Sequence, residues 1–494
     1  MSIKPQYETY RYTGEICRLQ SQSIVECRLP GSEIGSILAV QANATPTENT
    51  CADGEVRYAG KLLVCVVYED SNRKICRMER GAEFFHKAQH ADVSPACFAK
   101  TDFSIVNVSH RREGSGVYIS VVIGADSSVF GGKHAEYLSG GDGLIVKKQP
   151  ETLVHTLCVS GETEGEDEFE TDYVGDILLH GESATINSVR VGAGQVEIDG
   201  EMQINACVLK VDNQLCSYER IVPFSMQIPC EEAFGNVTAS ARVRVKSAHL
   251  SVGADEEKNV SKMVLSYCLS ADCFLHTQKE ISAVCDLFSP QVKTQANTVN
   301  GVGRYLTNYV KRVQRVSGTA HLSGSFDGEY TLSAAVLPRA EITCKHTDKG
   351  MEAEGVITAE VLLCGAEGGY RSATLSLPFV FPLNENADEI EAECAVCGLK
   401  IKRSGEETQA EATLKIGLCC YETRRWQYVG ETTEGEPIQQ SSAAVSVYVL
   451  REGEDLWQVA KRLSRDPDEL QKSNPDLAFP VKEGERIYVY RQIK

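Results

Sequence analysis

A window of 52 residues, Glu33 to Phe84, is written a second time at Tyr173 to Phe224, without a gap and at a constant offset of 140. Twelve positions are identical: Gly35/Gly175, Ile37/Ile177, Leu38/Leu178, Ala44/Ala184, Thr45/Thr185, Gly54/Gly194, Val56/Val196, Gly60/Gly200, Cys76/Cys216, Glu79/Glu219, Arg80/Arg220 and Phe84/Phe224. Average composition would give roughly three by chance. A weaker third copy, Gly328 to Phe379, keeps Gly355, Val361 and Phe379. Periods of 140 and 155 are far too long for solenoid units, which repeat every 20–50 residues or so. The copies therefore read as tandem domains.

The 494 residues leave room for about three or four domains. With 42% hydrophobic and 24% charged residues the chain can build ordinary cores. A formal net charge of −19 argues against nucleic-acid binding, which needs a positive face. Met1 to Thr13 lacks a basic segment followed by an apolar one, so no secretory signal is expected. No apolar run is long enough to span a membrane. Nineteen cysteines in such a chain read as reduced thiols that serve as small hydrophobes on strands, Cys65, Cys207 and Cys364 among them.

Within the repeats, apolar and polar residues alternate. Residues 1 to 32 carry two such runs, Tyr10 to Leu19 and Ser23 to Leu29, ended by Pro30-Gly31. In copy two, Met202, Ile204, Ala206 and Val208 alternate with Glu201, Gln203 and Asn205, a period that buries one face and wets the other. The glycine before each such strand (Gly60, Gly200, Gly355) marks a bend, a bulge or a close backbone approach. Turns follow at Asp70-Ser71-Asn72 and Asp212-Asn213. Val243 and Val245 then alternate with Arg242, Arg244 and Lys246, and an Asp-Glu-Glu turn follows. Many short alternating strands between Gly, Asn and Asp turns predict β-sandwich or barrel-like modules. Helix is expected only as short pieces at Lys133 to Leu138 and Thr277 to Phe288. The acid-rich Glu162 to Asp172 reads as a solvated hairpin tip, and 431–444 as a linker.

From Val447 the period changes. Tyr448 to Leu450 is a short strand, and Arg451-Glu452-Gly453 a turn. Asp455 with Gln458 forms a capping box, and Leu456, Val459, Ala460 and Leu463 make one apolar helical face. A second helix opens on Asp466-Pro467 and ends at Asn474-Pro475, and Arg486 to Tyr490 is the last strand. The order is β-α-α-β.

These residues, with Gly453-Glu454-Asp455-Leu456-Trp457, Asn474-Pro475-Asp476-Leu477 and Gly484-Glu485-Arg486-Ile487, resemble a LysM domain. The resemblance implies a shallow groove for N-acetylglucosamine polymers such as peptidoglycan or chitin-like glycan. By position the groove is Gly453, Glu454, Asp455 and Leu456 facing Pro475, Asp476, Leu477 and Ala478, with Trp457 and Asn474 beside it. Glu454-Asp455 stands where that family commonly has Asp-Thr. The repeats, with their glycine, alternating strand, Cys-x-x-Glu-Arg and phenylalanine, resemble SPOCS domains. The whole arrangement is similar to the spore coat morphogenetic proteins of endospore-forming bacteria. That likeness implies mother-cell cytoplasm at the forespore surface, a coat-organising sporulation ATPase and other coat proteins as partners, and a LysM turned to protein binding.

No nucleophile elbow, phosphate loop or His-Glu-x-x-His is present, and the ten histidines are dispersed. Cys394-x-x-Cys397 has zinc or redox spacing, but residues three apart on a strand face opposite ways, so structural thiols are favoured. Glu79-Arg80 and Glu219-Arg220 recur, as a structural ion pair, an interdomain contact or a partner site. The expectation is a mainly β, non-enzymatic protein with neither metal nor cofactor. It comprises three tandem β-sandwich-like repeat domains (1–143, 144–290, 291–430), the linker 431–444 and a small β-α-α-β LysM domain (445–494).

Overall fold

The computed structural model describes residues 2–31, 34–172, 174–255, 260–323, 330–366, 368–404, 407–439, 443–482 and 484–490. The window ends Glu33, Tyr173 and Gly328, and most of the Asp-Glu-Glu turn, lie outside the described residues. Among the described residues the chain is mainly β, with 81% of them in strands and two helices.

One six-strand pattern recurs three times. The first set is β1 (Lys4–Pro30), β2 (Ile34–Ala52), β3 (Glu55–Asp70), β4 (Ile75–Gln89), β5 (Phe98–Glu113) and β6 (Gly116–Asp142). The second is β7 (Ile145–Asp172), β8 (Val174–Gly192), β9 (Gln195–Lys210), β10 (Leu215–Pro229), β11 (Thr238–Asp255) and β12 (Val260–Phe288). The third is β13 (Val292–Leu322), β14 (Tyr330–Thr347), β15 (Gly350–Gly365), β16 (Tyr370–Pro382), β17 (Glu389–Ser404) and β18 (Glu407–Pro437). In each set the first, sixth and fifth strands form one antiparallel sheet, and the second, third and fourth another. In the third set the two sheets join where His321 and Leu322 of β13 meet β16.

Each set closes a core between its two sheets. In the first, Val25, Cys27 and Leu29 of β1 and Val117 to Ile123 of β6 meet Leu62, Val64 and Val66 of β3. The hairpin after each third strand is the same turn. Arg73, Asn213 and Gly368, one position of the repeat, all take the left-handed conformation (φ 63, 64 and 79). The amide three residues before each bonds to the carbonyl one residue after it: Asp70 to Lys74, Lys210 to Gln214 and Gly365 to Gly369. Asp70 Oδ1 also accepts the amides of Asn72 and Lys74, which explains the turn chemistry read there.

The three sets meet around a common centre. Ala39, Leu179 and Ala334 are one repeat position, Val67, Cys207 and Leu362 another, and all six are buried in one cluster. Farther along, Ala135, Ile281 and Trp426 form a second junction with Tyr137, Ala283 and Tyr428, and Leu138, Val284 and Val429 form a third. This explains one difference from the sequence pattern. Gln203 and Asn205, on the polar face of β9, are buried rather than wet. That face packs on a neighbouring set, where Gln203 Nε2 donates to the Val396 carbonyl (2.6 Å).

Four further readings are corrected. Residues 133–138 and 277–288 are strand, within β6 and β12, because their neighbours supply continuous pairing partners. The two runs of residues 1 to 32 are one strand, β1, interrupted by register shifts. Glu162 to Asp172 is no hairpin tip but the end of β7, paired with β12, where acids alternating along a strand form one wet edge. The linker starts only after Pro437, since Thr432 and Glu434 still pair with β13 and Glu434 accepts the Ile3 amide (3.0 Å). Residues 440–442 lie outside the described residues.

The C-terminal segment runs β19 (Val445–Val449), α1 (Leu456–Leu463), α2 (Pro467–Ser473) and β20 (Arg486–Tyr490), with β19 and β20 antiparallel. Among the described residues no helix is long and apolar enough to cross a membrane.

Candidate functional site

The C-terminal segment holds most of the residues singled out for binding. Asp455 caps α1: its Oδ1 accepts the Gln458 amide (2.7 Å), and Gln458 Oε1 accepts the Asp455 amide (3.2 Å). Asp466 accepts the amides of Asp468 and Glu469. Gly453, left-handed at φ 81, gives its amide to the Val481 carbonyl, and Val481 returns its own amide to Glu454. The loop before α1 is thus tied to the segment that follows α2. Pro475, Asp476 and Ala478 are exposed, while Leu477 and Leu456 pack against the small core.

Two groove residues do other work. Asn474 is buried and staples the segment: its Nδ2 donates to the Leu470 and Tyr488 carbonyls, and its Oδ1 accepts the Tyr488 amide. Trp457 is not an open platform. Its indole Nε1 donates to Asp286 Oδ2 (2.8 Å), and its ring stands edge-on to Phe288, 5.3 Å between centroids. Lys461 pairs with the same Asp286 carboxylate. Burial alone would push that carboxyl up, yet Lys461 and Trp457 hold it below the usual range. Glu454 is likewise occupied, by Arg462 (3.0 Å) and the Arg451 amide (2.9 Å). What this segment leaves open is one face of its sheet, where exposed Val445 and Val447 pair with exposed Tyr490 and Tyr488, and Val449 continues the row.

Gly60, Gly200 and Gly355 lie directly opposite Phe84, Phe224 and Phe379, and each ring covers its glycine so closely that a Cβ would strike it. Of the alternatives read there, a register shift faces Gly60 and Gly200 but not Gly355, and a neighbouring backbone carbonyl presses on Gly200 and Gly355, so what all three share is the covering ring. The pairs Glu79-Arg80 and Glu219-Arg220 are not ion pairs, because adjacent strand residues face opposite ways. Arg220 instead binds Asp167 (2.8 Å) and covers the Phe169 ring. Glu219 accepts the Gly398 amide (3.0 Å), a contact between the second and third sets. In the first set Arg80 donates to the Arg28 carbonyl, and Glu79 pairs with Arg77.

None of the nineteen cysteines is joined in a disulfide. Cys394 and Cys397 diverge, the first donating to the Ala340 carbonyl and the second to Gln203. Burial pushes their thiols up to about 12 and about 11, which leaves almost no thiolate at neutral pH. Among the described residues no cluster of His, Cys, Asp or Glu is grouped to hold a metal ion.

A larger feature was not anticipated. Where the three sets meet, side chains from each line a half-open cavity of about 780 Å³. Beside it three arginines, one per set, converge on Glu391: Arg18, Arg242 (3.4 Å) and Arg304 (2.9 Å). Arg242 also reaches Asp102 (2.9 Å), and Arg244 bridges Asp102 and Asp272. Arg304 lies over the Tyr421 ring at 4.0 Å. Glu393 is surrounded by protein yet keeps 61% of its side chain accessible, with Arg242 at 3.7 Å. The only sequence signal was the Arg242/Arg244 alternation of β11, a pattern shared by any solvated strand.

Comparison of the chain with protein-family models, with curated proteins and with solved structures returns no match.

Proposed function

We propose that this is a non-enzymatic scaffold of spore envelope assembly, tethering coat layers to the forespore by binding a coat-organising sporulation ATPase. In this reading three SPOCS-like repeats form the body and the C-terminal LysM-like segment is the protein-binding adaptor. The observation that carries the adaptor role is the occupancy of the groove. Trp457 is spent on Asp286 and Glu454 on Arg462, so neither side chain stands free at the groove to receive a sugar. Meanwhile Tyr488 and Tyr490 stand exposed among valines on the neighbouring sheet, and tyrosine is a side-chain type that anchors protein interfaces.

The test offers the full chain to the purified coat ATPase and to insoluble peptidoglycan in parallel, with Val447→Asp and Asp476→Arg as probes of the sheet and the loop. Capture of the ATPase, weakened at least tenfold by one of the two changes, supports the adaptor role. Retention on glycan without ATPase binding overturns it.

A further inference from the structure

We propose that the cavity at the junction of the three repeats is a binding site for an organic cation, held by the carboxylates of Glu393 and Asp126 between the aromatic walls of Tyr12, Phe274, Tyr309 and Trp426. Three observations lead there. The first is size: about 780 Å³ falls within the roughly 300–1,000 Å³ of small-molecule sites. The second is charge. The three arginines and Lys133 line the cavity against Glu15, Asp102, Asp126, Glu391 and Glu393, so carboxylates outnumber cations by one.

The distribution matters more than the count. The guanidiniums are committed to Glu391 and to Glu15, Glu389 or Asp102. An anion would have to pull them from those partners. Glu393, by contrast, has only the long contact to Arg242, and Asp126 has no ion pair among the described residues. Burial pushes the Glu393 carboxyl up to about 7, with Asp102 and Glu391 adding to the rise and Arg242 and Arg244 opposing it. An ammonium group would supply the missing positive charge, and where it meets the face of Tyr12, Tyr309 or Trp426 the ring attracts it further, the Phe274 face being already covered by Arg242. The third observation is His276, which lines the same cavity. It is 6% exposed, its Nδ1 lies by Thr156 Oγ1 (3.3 Å), and its Nε2 has no partner among the described residues. A buried ring nitrogen in that state is a polar contact left open for a ligand.

The experiment is titration calorimetry of the full chain with hexane-1,6-diamine, with hexane-1,6-diol as the uncharged control. Runs at pH 6 and pH 8, in buffers of different ionisation heat, count protons. One diamine per chain is expected, with no binding of the diol and with proton release at pH 6 that largely disappears at pH 8. Glu393→Gln, close to isosteric, should weaken binding at least tenfold and abolish the proton release. Val302→Trp, from the exposed Val302 of the cavity wall, should block the site while circular dichroism shows a folded chain. Diamine binding at many sites, unmoved by both variants, would place it on the acidic surface and overturn the proposal. Equal binding of the diol, or no saturable binding, would overturn it too.

Discussion

The glycine–phenylalanine pairs give the sharpest test of how these repeats are built. In an ordinary strand, Gly→Ala stabilises by about 0.5–1 kcal/mol through reduced chain entropy. At Gly60 the nearest atoms the new methyl would meet all belong to side chains, the Phe84 ring and, at 3.0 Å, Phe103. Rings can shift, so Gly60→Ala is expected to cost about 1 kcal/mol net. At Gly200 the methyl also meets the Thr185 carbonyl (2.5 Å), and at Gly355 it meets the Glu341 carbonyl as well as Phe379. Backbone cannot step aside without breaking the ladder, so these two changes should cost about 3 kcal/mol each. Gly81→Ala, with nothing within 4 Å, should be neutral or stabilising.

Chemical denaturation of the full chain, followed by far-UV circular dichroism, measures the order. Phe84→Leu should rescue Gly60→Ala, because it removes the clashing ring. It should not rescue Gly355→Ala, whose obstacle is the backbone. Equal costs at Gly60 and Gly355, or three changes within 0.5 kcal/mol of Gly81→Ala, would refute the reasoning.

Asp286→Ala should release the C-terminal segment from β12 and raise its rate of limited proteolysis severalfold; an unchanged rate refutes the docking role of Trp457 and Lys461. Because the folded Asp286 carboxyl is held low, that docking should persist at neutral pH and fail only as pH falls below about 4. Burial holds His276 down to about 4 in the folded chain, against about 6.5 unfolded, so stability should fall by up to about 3 kcal/mol as pH drops from 6.5 to 4. His276→Gln should flatten that limb of a melting-temperature profile. Glu393 works in the opposite direction, and weakly, because 61% of its side chain is open to solvent: its raised carboxyl makes stability fall slightly as pH rises from about 4.5 to 7, and Glu393→Gln should remove that slope.

What the sequence made legible was what one strand and its immediate neighbours decide. Alternation announced the strands, Asp70 and Asn213 announced their turns, and Asp455 with Gln458 announced α1. Long-range pairing was not legible. Residues 133–138 and 277–288 have compositions that suit either state and become strand only because β1 and β7 lie alongside. The cavity was invisible for the same reason. Arg18, Arg242 and Arg304 lie far apart in sequence, each on a strand with ordinary polar alternation, and nothing local shows that they share Glu391.

That convergence also bears on why the repeats stay together. Apolar clusters already hold the three sets together, and a half-buried ion cluster adds little stability over apolar side chains of the same volume. It does add discrimination, since misplacing any one set would leave charges unpaired in the interior. Arg18 comes from the first set, Arg242 from the second and Arg304 from the third, while all three meet one carboxylate of the third. The cluster therefore registers all three copies at once, where each apolar contact would tolerate some sliding. Divergence of the copies follows from this. Asp102, Arg242 and Glu393 face one another at the centre, and three identical residues there would repel. The acid–base–acid set closes on itself and leaves one carboxylate over, and that remainder is the charge the cavity offers to a cation.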